Sequence, residues 1–499
     1  LWLAVCVWLN VAGWTLSAFA RLDRAGYAIA VSLLIPLCAW LVRGERWKRM
    51  PRRRFRHALP AAWLGLAALV WLGGFLHAPN NYDALAYRVP RVLHWLAEGH
   101  WHWIHTQFTR LNPRAVGYEW LTAPLLALQG TDRWAWIFNA TGFLLLPGLI
   151  FSVFTRLGLG ARAAWTWMWV LPGAYGFALQ AGSVGNDLIG AVLALAMLHF
   201  ALRARAGGAW GELAGALLAG ALLTGVKASN LPLLLPAAGA LLPCWRLALA
   251  RPLASLGALV VAALISFLPI AALNVKYCGD WTGARYEQSN ALTVSPLVGV
   301  AGNAVALTLQ NIVPPIFPGV ARWNELAPRL LPESLRTRMD AQFEHGVLVM
   351  PEMQNEETTG FGFGASLLVL ATALMGLRGA RRAGAWLRWL PFVALLAYMA
   401  KSGIGAAARI VIPYYLLLVP ALVAGKKAER LVTRRAWRLA ALGTLALAAL
   451  LVVLTPSRPL WPAQTLCAWL APRFPGRTLA RMQTVYAVYA QRAEALAPL

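Results

Sequence analysis

The stretch "ALPAAWLGLAALVWLGGFLHAPNNYDALAYR", residues 58–88, decides how the rest of the chain is read. Its first twenty residues hold no Lys, Arg, Asp or Glu, which is helix enough to cross the hydrocarbon of a bilayer. An acid, Asp83, stands directly beyond, at the head of an amphipathic segment with Arg88, Arg91 and His94. A carboxylate placed at the rim of a membrane needs a reason.

Apolar runs of this kind recur along all 499 residues, 59% of which are hydrophobic, so a soluble globular chain is excluded. The runs are unbroken and rich in Leu, Ala and Trp, with no period-two alternation, which predicts an all-α polytopic bundle and not a β-barrel. About thirteen spans are expected, near 1–20, 27–42, 58–77, 133–155, 163–180, 187–202, 212–226, 231–243, 253–275, 362–377, 388–400, 408–425 and 439–454.

The net charge of +26 invites a nucleic-acid reading, but its distribution argues against one. The connection "RGERWKRMPRRRFRH", residues 43–57, and the alternate connections around Arg156, Arg203, Arg246, Arg381 and "KKAERLVTRRAWR" hold more than half of the 45 Lys and Arg. They hold only Glu45, Glu212 and Glu429 of the 19 acids. That asymmetry is the positive-inside signature, with attraction to anionic membrane lipids as its second consequence. It places 43–57 in the cytoplasm and Asp83 outside, in a plasma membrane, with no nucleic-acid partner.

Five cysteines lack metal-ligand spacing, and only Cys278 and Cys467 fall on the expected outer side, where a disulfide could persist. Residues 1–20 read as an ordinary first span, because no A-x-A site precedes a soluble domain. The expected organisation is two N-terminal spans and a basic loop (1–57), a transmembrane catalytic domain (58–454) with outer loops 78–132 and 276–361, and an outer C-terminal segment (455–499) that caps it. Long loops kept beside a membrane are where function concentrates.

Asp83 precedes Leu85, Val89, Val92 and Leu96 at helical spacing, which predicts a helix along the membrane surface, divided in two by Pro90. Two readings of Asp83 are open: an N-cap, or an oriented, ionised carboxylate able to take a proton from a hydroxyl. Asn186 and Asp187 in "GNDLIGAVLALA" stand at a second span mouth with the same ambiguity. The short segments 212–226 and 231–243 meet at "GVKASN" and predict an interrupted pair reaching partway across, with Lys227 deep, either meeting an anion or snorkelling to the interface. Arg110, Arg114 and Arg409 lie on the expected outer side, where a positive charge is not explained by topology and a guanidinium fork suits phosphate oxygens. Glu119, Glu356 and Glu357 share that side.

In order, "YDALAYRVPRVLHWLAEG", "NPRAVGYEWLTAPLLAL", "GNDLIGAVLALA", "LLAGALLTGVKASNLPLLLP" and "ARIVIPYYLLLVPAL" resemble the GT-C superfamily of integral-membrane glycosyltransferases over roughly residues 58 to 425. The likeness is strongest to its bacterial branch, related to protein O-mannosyltransferases and the lipid A aminoarabinose transferase. It implies transfer of a sugar from a polyprenyl-phosphate carrier to a glycan, lipid or protein acceptor at the periplasmic face of the inner membrane. It maps the family's essential first-loop acid onto Asp83, its second outer acid onto Asp187, and its basic pair onto Lys227 and Arg409. Arg110 and Arg114 are further candidates for the donor phosphate. Asn186, Glu119 and Glu356 are candidates for holding the acceptor or backing a divalent cation, Mg or Mn, to which Asp187 and Glu356 would contribute.

The chain departs from the family in three places. Asp83 is followed by Ala84 where many members have a second acid, "NPR" at 112–114 replaces a His-Pro-Pro element, and the two spans before residue 58 lie outside the common core. Two other classes fit the composition. An O-antigen ligase or polymerase would rely on basic residues of loop 276–361, and a flippase on repeated halves and mid-span charges.

Overall fold

A computed structural model describes residues 1–43, 55–287, 295–343, 346–376, 385–474 and 476–490. The chain is all-helical, 75% helix, with no strand among the described residues. Most of the basic connection 43–57, and the run around Arg381, lie outside the described residues.

One helix organises the bundle. Asp187–Gly207 is apolar on every face until His199, so no stripe is reserved for water or lipid, and 83% of its most apolar window is buried. Ile137–Arg156, Trp210–Val226, Leu234–Leu241 and Ile412–Val423 pack around it. At the periphery, Arg24–Val42 is equally apolar, yet only 17% of its window is buried. Leu33, Ile35, Trp40, Leu253, Leu256 and Leu374 are exposed on such outer helices. An apolar exterior of this extent belongs in lipid, and the chain is a multi-pass membrane protein.

Among the described residues, six helices are long and apolar enough to cross a membrane, or seven if the bent pair Pro252–Ile265 and Leu268–Cys278 is one span. Five further apolar helices are shorter. The expected partway pair is corrected here. Ala228–Ala250 is itself of spanning length, and Lys227 ends the Trp210–Val226 helix level with Asp187, at the start of the antiparallel neighbour. The lysine is therefore at the bundle's end and not deep within it.

The surface helix also differs from expectation. The break falls before Pro90: Ala84–Arg88 forms a π-turn, closed by Val89 N–H donating to the Ala84 carbonyl, and Val89–Glu98 continues as one α-helix. Pro90 has no N–H to return to the Ala86 carbonyl, so the wider turn sits where the regular ladder could not form. Arg91 does not face water. It is fully buried with Arg88 against Glu119, whose Oε1 accepts from Arg88 Nη1 at 2.9 Å and from Arg91. All five cysteines are free thiols, so Cys278 and Cys467 are not paired.

Candidate active site

At one end of the bundle, four residues from four distant segments join in a continuous network. Asp83 ends the approach to the π-turn with a helical backbone, and its side chain caps nothing. Its Oδ2 instead accepts from Arg409 Nη2, and Oδ1 has no protein partner among the described residues. Asp187 is the first residue of the central helix and likewise makes no cap. Its Oδ1 accepts from Lys227 Nζ, and its Oδ2 accepts from Arg409 Nε at 3.0 Å and from Gln180 Nε2 at 3.0 Å. Arg409 thus spans both acids while its third nitrogen, Nη1, reaches the Glu357 carbonyl at 3.4 Å.

Local sequence explains how each group is aimed. Lys227 follows the last helical residue in an extended conformation, where a cation meets the negative end of the helix dipole. Asn186 Nδ2 holds the Val226 carbonyl at 2.6 Å and Asn230 Nδ2 holds that of Leu223 at 3.1 Å, so the helix end that presents the lysine is pinned on both sides. Gly225 admits the backbone of Ile265, since a Cβ there would lie 2.1 Å from its carbonyl oxygen. Arg409 sits on the short helix Ala407–Ile410, which Gln310 fixes by accepting from Ala408 N–H at 2.9 Å and donating to Gly405 O at 2.6 Å. Tyr415 OH adds a bond to the Ala408 carbonyl at 2.9 Å.

Burial pushes the Asp83 carboxyl up, but Arg409, Arg88 and Arg114 together outweigh it and hold the group well below the usual carboxylate range. Asp83 is therefore ionised at any working pH. Burial drives Glu357 the other way, up to about 7, against the pull of Arg409 and with Asp83 and Glu356 adding to the rise.

The other expected site residues lie around this network in other partnerships. Arg114 makes a fork to Glu287, with Nε at 3.0 Å from Oε2 and Nη2 at 2.5 Å from Oε1, and Arg110 Nε lies 3.2 Å from the same Oε1. Tyr87, within the π-turn, carries the guanidinium of Arg114 5.0 Å from its ring centroid and that of Arg88 at the same distance. Among the described residues, the Glu119 carboxylate pairs with Arg88 and Arg91. Glu356 is occupied by Arg458 Nη1 at 3.0 Å and Ser457 Oγ at 3.0 Å, and connects to Asp187 only through Gln180, which also donates to the Glu356 carbonyl at 3.3 Å.

These partnerships do not suit a divalent cation. Asp187 and Glu356 are each neutralised by protein cations, and no group of three His, Cys, Asp or Glu able to hold a metal occurs among the described residues. Sequence reasoning missed Gln180, Glu287 and Tyr87. Gln180 carried the one usable signal, a lone amide in an apolar run seven residues before Asp187.

Two solved structures resemble the chain: ArnT from Cupriavidus metallidurans in the apo state, at 15% identity, and the same protein bound to undecaprenyl phosphate, at 16%. Each comparison covers 87% of this chain and 86% of that one, with a TM-score of 0.37. No family model and no curated protein matches.

Proposed function

We propose that the chain is an inverting glycosyltransferase that moves a sugar from a polyprenyl-phosphate carrier to a hydroxyl of a glycan, lipid or protein, at the outer face of a bacterial inner membrane. The observation that supports this reading is the bridging of Asp83 and Asp187 by Arg409, with Lys227 completing the network. Two cations beside two carboxylates at one end of an apolar bundle suit a substrate with a greasy tail, an anionic phosphate and a reacting carbon beside it.

In this reading Lys227 and Arg409 bind the donor phosphate, and charge grows on its bridging oxygen as the bond to the anomeric carbon breaks. Asp83 Oδ1 takes the acceptor's proton while the acceptor oxygen forms the new bond from the opposite face. The electron pair of the broken bond leaves with the lipid phosphate, so one displacement inverts the anomeric centre. Asp187 is the counter-anion that keeps both cations in place. As the phosphate claims Arg409, the guanidinium loosens its hold on Asp83, whose proton affinity rises; the base gains strength when the donor arrives. No step passes through a divalent cation.

The same reading takes all thirteen apolar segments as spans, places 78–132, 276–361 and 455–499 outside, and treats 58–454 as the catalytic domain. Its test is direct. Purified protein given a panel of polyprenyl-phosphate sugars and hydroxyl acceptors should transfer at least one sugar with inverted configuration. Retention of configuration would contradict single displacement, and donor translocation without transfer would favour a flippase.

A further inference from the structure

We propose that Glu357 is a positioning residue for Asp83, reaching in from loop 276–361 to hold the turn that carries the base. The inference rests on the reading of Asp83 given above. The Tyr82 N–H, one residue before Asp83, donates to Glu357 Oε1. That N–H is one of the orphan donors of a helix start, and none of the local side chains serves it. Asn81 Oδ1 accepts no hydrogen bond among the described residues, and the Asp83 carboxylate turns to Arg409 through Oδ2. The acceptor comes from 275 residues away.

The loop that delivers it is held on every side. Asn355 Oδ1 accepts from the N–H groups of Glu357 at 2.9 Å and Thr358 at 3.1 Å. Glu356 is clamped by Arg458 and Ser457, and Gly176 N–H donates to the Gly360 carbonyl at 2.8 Å. Glu357 therefore touches the site twice, by its carboxylate at the Asp83 turn and by its carbonyl at Arg409.

A neutral amide oxygen could also accept that N–H, though more weakly. The chain instead puts a carboxylate there, facing Asp83 and Glu356 with Arg409 as the opposing cation, and burial raises its ionisation to about pH 7. An ionised group at that cost makes a stronger, charge-assisted bond to the turn, and it ties the placement of Asp83 to pH.

Wild type, Glu357→Gln and Glu357→Ala are compared for kcat and donor KM across pH, with polyprenyl phosphate binding and thermal midpoint measured on the same preparations. The glutamine variant retains an acceptor oxygen and the side-chain volume, so it folds. Its kcat should fall about tenfold, equivalent to ~1.4 kcal/mol, with donor KM within about twofold of wild type and the wild-type acid limb near pH 7 abolished. The alanine variant should lose more. Wild-type kcat and an intact acid limb in Glu357→Gln would overturn the inference alone, as would a lowered thermal midpoint with unchanged kcat, the mark of a purely structural tie. A wild type that neither binds polyprenyl phosphate nor transfers sugar would overturn the base reading of Asp83 and this inference together.

Discussion

At the scale of single residues, each member of the network has different work in the proposed reaction, and the variants should separate. Lys227→Met removes a charge-assisted contact to the donor, each worth about 1.5–3 kcal/mol, so donor KM should rise roughly tenfold to a hundredfold in steady-state kinetics. The two loop acids should also differ in how stability follows pH. The folded pKa of Asp83 is depressed, so its contribution is present above the unfolded carboxylate value and is lost only as strong acid protonates the folded form. Glu357 has the opposite sign. Its folded pKa is raised from 4.5 to about 7, so its stability is full below the unfolded value and is lost as pH rises through about 7. Thermal midpoints at pH 5 and pH 8 should show wild type losing more than Glu357→Gln over that interval; equal losses would contradict the assignment.

Asp83, Asp187, Lys227 and Arg409 were each legible in the sequence because a charge beside an apolar run is costly and wants a cause. That Arg409 bridges the two acids was not legible, since it depends on how four segments far apart in sequence meet at one end of the bundle. Arg110 and Arg114 looked equally suited to phosphate, and only the fold shows Glu287 between them.

At the scale of elements, helix starts and ends do most of the positioning. Caps were the bland expectation for Asp83 and Asp187, and neither caps, because a buried guanidinium outcompetes backbone N–H groups for the carboxylates. The π-turn before Pro90 and the length of Ala228–Ala250 escaped sequence reading for a shared reason: apolar periodicity marks where a helix is, and says little about where its ladder breaks. Gly225→Ala should disturb the Lys227 end of its helix, since a Cβ would meet the Ile265 carbonyl at 2.1 Å, and donor affinity should fall several-fold with far-UV circular dichroism unchanged. Glu119→Ala leaves Arg88 and Arg91 buried without their anion, which should cost about 3–5 kcal/mol, read as a lowered unfolding midpoint in detergent. An unaltered midpoint would mean that the pair is not buried as described.

For the whole molecule, hydropathy gave the all-helical, multi-pass class, and twelve of its thirteen segments coincide with an apolar helix or bent pair among the described residues, whereas 163–180 divides into two short helices, Ala161–Val170 and Tyr175–Ala181. It could not say which helix would be central. Asp187–Gly207 and Arg24–Val42 are both apolar over most of their length, and neighbours, not composition, bury one and leave the other exposed. The proposed sidedness rests on the Lys and Arg distribution, and it predicts that a single cysteine introduced as Thr131→Cys in an otherwise cysteine-free protein reacts with an impermeant maleimide from outside, and one introduced as Thr433→Cys only after the membrane is opened. The reverse pattern would place the network in the cytoplasm. The most direct test sets single-turnover transfer beside polyprenyl phosphate binding in wild type and Asp83→Asn. Loss of a general base should slow transfer by about 10²–10⁴ while lipid-phosphate binding is kept, because Lys227 and Arg409 remain. Transfer at the wild-type rate in the asparagine protein would contradict the account at its centre.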